Sequence, residues 1–226
     1  MASLRAKAPN LAQARRLQRE LRAAVRTDDD FGPVRAVAGT DVGFADGGST
    51  ARGAVVLLSF PGLEILERAL VARPVDFPYI PGYLSFRELP VLLDAMARLR
   101  RAPDLVLCDG QGLAHPRRFG IACHLGVATG LPSVGVAKSR LVGSYREPAR
   151  AKGSASPLLH DGERIGTVLR SRAGVSPLFV SGGHRVSLAA AERYTLACCT
   201  RYRLPETTRA AHRLASGWRR PGHGAS

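Results

Sequence analysis

The chain has 226 residues, 45% of them hydrophobic, enough for one well-buried domain and too apolar for an intrinsically disordered chain outside its ends. Its 33 Lys and Arg face 18 Asp and Glu, a net charge of +15, which favours a polyanionic partner, nucleic acid first; arginine-rich codon usage explains Arg in place of Lys but not so few acids. The four cysteines (Cys108, Cys123, Cys198, Cys199) form no C-x-x-C and read as buried thiols of a reducing compartment, not a zinc site or disulfide framework; the N-terminus lacks an apolar signal core and no apolar run is long enough for a bilayer, so a cytoplasmic protein without a membrane role is expected.

Residues 9–26 carry Leu11, Ala14, Leu17, Leu21 and Val25 at helical spacing with arginines between them, which predicts a basic amphipathic helix. "TDDDFGP" closes it, and Asp28, Asp29 and Asp30 read as a solvated helix end. "VRAVAGTDVGFA" reads as a strand ending near Asp41. "ARGAVVLLSF" and "LEILERALVAR" add two strands joined at Pro61-Gly62, an antiparallel meander. "FPYIPGYLSFRE" then places an aromatic and an Ile between two prolines, a stiff apolar wedge just before Glu88.

A helix over "SFRELPVLLDAMARLRR" follows, then a short buried strand of the parallel kind, "PDLVLCDG". "RRFGIACHLGVATG" is a helix with a glycine stop, and "LPSVGVAKS" another buried strand. "RIGTVLRS" and "LFVSGGHRVS" add strands or an edge hairpin, "LAAAERYTLACCTRY" a helix and "TTRAAHRLA" a short last one. Three strands, helix, strand, helix, strand fits an α/β fold with a mixed sheet flanked by helices, as in the ribonuclease H-like fold. With no repeat and no linker, residues 1–226 read as one domain, with a structured core over about 9–216 and a disordered tail after Trp218.

Ligands of open α/β sheets bind at the carboxyl ends of strands. Asp41 and Asp109 both end strands there, and if those strands are neighbours their carboxylates meet and need a proton or a cation between them. Oxygen ligands favour magnesium or manganese, and Glu88, in the first turn of the next helix, can complete the cluster. Each residue also has a structural reading: Asp41 satisfying a turn, Asp109-Gly110 forming one, and Ser85-x-x-Glu88 forming a capping box. In "DGQGLAHPRRFG" the glycines allow a ligand close to the backbone, and His115, with Arg117 and Arg118 at the following helix start, offers a phosphate contact or a solvated basic turn. Lys138 ends its strand at the same sheet edge, where it can steady phosphate charge. His184 and His212 are equal candidates on chemistry alone, and Asp46 and Asp104 fall outside the cluster.

"GTDVGF", "PYIPGYLSFRE", "VLCDGQGLAHPRRFGIACHLG", "PSVGVAKSRLVG", "SPLFVSGGHRVS" and "YRLPETTRAAH" resemble the motifs of the endonuclease V family, the deoxyinosine-specific repair nucleases, from about Val34 to His212. The resemblance implies a ribonuclease H-like, Mg²⁺-dependent nuclease, with Mn²⁺ able to substitute. It implies Asp41, Glu88 and Asp109 as metal ligands and Lys138 and His212 as catalytic partners. It implies a strand-separating wedge at Pro78, Tyr79, Ile80 and Pro81, and a base pocket from Gly82, Leu84, Gly110 and Ile121, with His115 also on the substrate. It implies hydrolysis of the second phosphodiester 3′ to the lesion, leaving 3′-hydroxyl and 5′-phosphate ends. Gln111 departs from the pattern, standing where many members carry His. Deoxyinosine-containing DNA is the expected partner and a monomer the expected state. Two alternatives share these residues: an inosine-specific endoribonuclease, and a non-catalytic nucleic-acid-binding protein in which the carboxylates are dispensable.

Overall fold

The computed structural model describes residues 9–217; the expected tail after Trp218 lies outside them. One eight-stranded sheet runs β3-β2-β1-β4-β5-β8-β7-β6. Its strands are β1 (Ala36–Ala45), β2 (Thr50–Ser59), β3 (Ile65–Pro74), β4 (Leu105–Asp109), β5 (Ser133–Ala137), β6 (Ala155–His160), β7 (Glu163–Leu169) and β8 (Leu178–His184). The helices are α1 (Leu11–Ala23), α2 (Ser85–Met96), α3 (Ile121–Thr129), α4 (Leu188–Ala197) and α5 (Glu206–Ser216). Only β1–β4 and β4–β5 pair in parallel; the other ladders are antiparallel. The sheet is therefore mixed and flanked by helices, as expected.

The alternation of strand residues divides the core. Ala36, Ala38, Val55, Leu57, Val106 and Cys108 face α2 and α3, packing on Leu89, Leu92, Ile121 and Leu125. Val37, Val56, Leu105, Leu107 and Val134 face α4 and α5, packing on Ala190, Ala191, Ala210 and Ala211. The small residues let α5 lie close to β1. Gly39 sets the limit, because a Cβ there would meet the Thr207 carbonyl at 2.1 Å.

Several boundaries differ from the sequence reading. β1 does not end near Asp41 but runs to Ala45, because β2 stays paired with it to the hairpin. α2 stops at Met96, and the next turn leaves the axis where the Arg100 N–H donates to Glu67. α3 starts at Ile121, not at the arginines. β6 was not foreseen: it is an edge strand with Pro157 and mostly open positions, so it lacks an apolar alternation. Asp28 to Asp30 are not simply a solvated helix end. Asp29 accepts from the Ser187 N–H and hydroxyl, and Asp30 pairs with Arg185 at 2.9 Å, clasping the segment after α1 to the start of α4. The four cysteines are buried and free, and burial pushes each thiol up to about 12. Among the described residues no helix is long and apolar enough to cross a membrane.

Candidate active site

The parallel ladder between β1 and β4 ends at Thr40 and Cys108. Asp41 and Asp109 are the next residues on the two strands, so both carboxylates emerge together at the carboxyl edge of the sheet. Lys138 follows β5 directly, and its Nζ donates to Asp109 Oδ2 at 2.5 Å. From the other face α5 brings His212, whose Nδ1 lies 2.8 Å from Asp41 Oδ2. One ligand atom from each of Asp41, Asp109 and His212 falls within 4.8 Å of the others. His184 is elsewhere, buried and accepting from the Arg26 N–H. The tie between the two histidines is thus broken by geometry.

Glu88 stands outside this tight group but feels it. Burial of the carboxyl raises its pKa to about 8, and the charges of Asp41 and then Asp109 push the same way. Asp109 is also raised, by burial first, with Lys138 opposing. Glu88 and Asp109, raised by burial and then by neighbouring acids, call for positive charge among them. Carboxylate oxygens suit a hard divalent cation, so Asp41, Asp109 and Glu88 form a donor set that fits a bound metal, with His212 beside it. The capping-box reading of Glu88 does not hold. Leu84 is the N-cap with no side-chain cap bond, and Ser85 lies inside the helix, its Oγ 3.1 Å from His124 Nδ1.

Beside the carboxylates is a cavity of about 360 Å³ lined by Tyr79, Pro81, Gly82, Leu84, Glu88, Asp109, Gly110, His115, Ile121 and Lys138. Pro78 and Ile80 do not line it. Pro78 and Tyr79 are exposed, Tyr79 at 69%, while Ile80 packs inward on Ala14, Phe77, Tyr83 and Phe86. The loop is anchored at both ends. Arg87 donates to the carbonyls of Phe77 and Gly48, and Gln18 and Arg117 both donate to the Gly82 carbonyl. His115 is buried and pushed down to about 4, by burial first and Arg117 second, so a neutral imidazole faces the cavity at neutral pH.

The basic loop is bonded within the chain. Arg117 and Arg118 turn inward: Arg117 bonds Gln18 and covers the Tyr83 ring, and Arg118 pairs with Glu163 at 2.7 Å. The glycines serve chain packing as well as the cavity, since a Cβ on Gly112 would meet the Gly182 carbonyl oxygen at 2.2 Å. Sequence reasoning also missed Gln18, and Arg203, which donates to the carbonyls of Lys138 and Pro177 and so holds Lys138 from behind. A polar residue on the apolar stripe of α1 was the one available signal for Gln18; Arg203 had none.

Comparisons with known proteins agree with this geometry. The endonuclease V family model matches residues 19–213. An endonuclease V of Roseiflexus sp. strain RS-1 is 57% identical over 212 residues, 94% of this chain and 95% of the relative. The crystal structure of endonuclease V from Streptomyces avermitilis superposes with a TM-score of 0.89 at 45% identity, covering 93% of each chain. A Ciona intestinalis endonuclease V, solved with a 24mer DNA containing an inosine followed by a ribo-adenosine, matches with a TM-score of 0.77 at 28% identity over 92% of this chain and 96% of that one. A ribonuclease H-like sheet, an acidic cluster at its carboxyl edge and this similarity along nearly the whole chain converge: the protein belongs to the endonuclease V family of nucleases, which act on phosphodiester bonds.

Proposed function

We propose that the protein is a magnesium-dependent repair endonuclease that nicks DNA at the second phosphodiester 3′ to deoxyinosine, leaving 3′-hydroxyl and 5′-phosphate ends. The observation that carries this reading is the meeting of Asp41, Asp109 and His212, with Glu88 behind them, beside a cavity bordered by the exposed Tyr79. Asp41, Glu88 and Asp109 would hold the metal, which supplies Lewis-acid stabilisation and a nucleophilic water at neutral pH. His212, oriented by Asp41, is placed to move a proton at its exposed ring edge. Lys138, held on Asp109, would steady a phosphate oxygen as it gains charge.

Recognition of the base requires it to leave the stack. Hypoxanthine offers O6 as an acceptor and N1–H as a donor and lacks the guanine 2-amino group. Gly82, Leu84, Gly110, Ile121 and the neutral His115 line a cavity suited to reading that edge. Pro78, Tyr79 and Pro81 fill the gap left in the duplex, and Ile80 anchors them. A deaminated pair is weak, which lowers the cost of extrusion.

A nicking assay on a deoxyinosine duplex with and without Mg²⁺ tests the reading. Asp41→Ala and Asp109→Asn are expected to abolish nicking while leaving binding largely intact. Nicking by either variant at the parent rate would overturn the assignment. An inosine-containing RNA in parallel decides between deoxyribonuclease and ribonuclease, and binding without cleavage by the parent would favour a non-catalytic protein.

A further inference from the structure

A second cavity, of about 480 Å³, lies on the other side of Lys138 and has no part in the chemistry above. Lys138, Arg150, Arg170 and Arg203 line it, against one carboxylate, Glu147. Two of the cations are already neutralised. Lys138 is on Asp109, and Arg170 is on Glu147 at 2.6 Å. Among the described residues no ion pair joins Arg150 or Arg203 to a carboxylate. Arg203 bonds only neutral carbonyls, at 2.6 and 2.8 Å, and its Nε is buried with no partner among the described residues. A buried guanidinium N–H without an acceptor is costly. Carbonyl dipoles do not neutralise the charge. A phosphodiester does, with a geometry the guanidinium fork matches.

Lys138 borders both cavities, so the second continues the first past the carboxylates. The strand-opening loop, Tyr79 to Gly82, touches only the first. We propose that the second cavity is a phosphodiester subsite, in which Arg150 and Arg203 hold a backbone phosphate of the substrate strand on the 3′ side of the cut. The direction rests on the function proposed above: with the base in the first cavity and the cut 3′ to it, the strand crossing Lys138 enters the second. Arg203 also holds the Lys138 carbonyl, so a phosphate docked there fixes the register of Lys138 towards Asp109.

The test is a scan of deoxyinosine duplexes, each carrying one uncharged methylphosphonate at a successive position on either side of the cut. Affinity is measured by fluorescence anisotropy without divalent cation, and single-turnover nicking with Mg²⁺. For the parent, one position 3′ of the cut is expected to cost about ten-fold in affinity, the size of one charge-assisted hydrogen bond. Arg150→Gln, a change at an exposed position outside the core, is expected to lose a similar factor on unmodified DNA and nothing further at that position. Losses that multiply at every position, or a parent insensitive throughout the 3′ side, would overturn the subsite. The nicking arm reads the proposed function separately: a parent that binds but never nicks sinks that function, while the affinity scan still decides whether the cavity holds a phosphate.

Discussion

His124 shows how a single side chain links packing to solution behaviour. It is enclosed by Phe86 and Phe119, with ring centroids at 4.9 and 5.1 Å, and burial pushes its pKa from 6.5 down to about 4. The unfolded chain therefore binds this proton first. The neutral ring's contribution is fully present above pH 6.5 and is lost as pH falls towards 4. The total is on the order of 3 kcal/mol, about 2 of it between pH 7 and 5. His124→Phe should show a shallower loss of urea stability over that range, at a cost of about 1 kcal/mol at pH 7 for the unpaired Ser85 hydroxyl; parallel pH profiles would refute this. Tyr79 belongs to the same scale. If its ring replaces lost base stacking, worth about 1–3 kcal/mol, then Tyr79→Ala should slow single-turnover nicking of a duplex about ten-fold or more. A single-stranded deoxyinosine oligomer should lose less, and equal losses would mean that the ring only packs its loop. Asp109 was legible as a candidate because a buried parallel strand reads as an apolar run ending in a polar residue, whereas Asp41 lies inside β1, where only the parallel ladder to β4 ends. Glu88 was ambiguous because Ser85-x-x-Glu88 satisfies a local rule; the partner that takes Ser85 away, His124, lies 39 residues off.

At the scale of elements, α1 is a brace rather than a free basic helix. Ala14 and Gln18 are its buried residues, and Gln18 donates across to the Gly82 and Phe119 carbonyls. Gln18→Leu keeps the bulk but leaves the Phe119 carbonyl and Arg117 Nε without the partner Gln18 gives them, and is expected to cost about 1–3 kcal/mol in urea unfolding and to slow nicking. Gln13→Ala removes only the exposed bond that the Asn10 N–H donates to the Gln13 side chain, leaves the Gln13 N–H on Asn10 Oδ1, and should cost about 1 kcal/mol or less with nicking unchanged. Equal effects of the two would show that α1 contributes only its helicity. The helical period predicted α1, but periodicity names a face and not a partner. Gln18 and Gly82 are 64 residues apart, and Arg203 and Lys138 are 65 apart. Such pairs exist only once the sheet has formed. β6 escaped for a different reason: an open edge strand carries no burial alternation to read.

For the whole molecule, the net charge of +15 predicts that nucleic-acid affinity falls steeply with salt as condensed counterions are released. Anisotropy titrations over a salt series measure this, and each phosphate-contacting arginine removed should flatten the log–log slope by about one unit. A flat plot for the parent would count against a broad phosphate footprint. The order of strands and helices was enough to give the mixed sheet, because each element carries its own period and the short early connections force an antiparallel start. The placement of α5 on β1 was beyond it. That contact depends on Gly39 lying under Thr207, and it is what carries His212 to Asp41.

The double anchoring of the Tyr79 loop has a consequence for kinetics. Arg87 fixes one end to the β1–β2 hairpin, and Gln18 with Arg117 fixes the other to α1 and the α3 approach. The loop loses its conformational freedom during folding, long before a duplex arrives. Encounter with DNA then involves little ordering of protein, and the slow coordinate shifts to the duplex. Under the function proposed above, how readily a given base pair opens, rather than how fast a lid closes, would set the rate at which lesions are sampled.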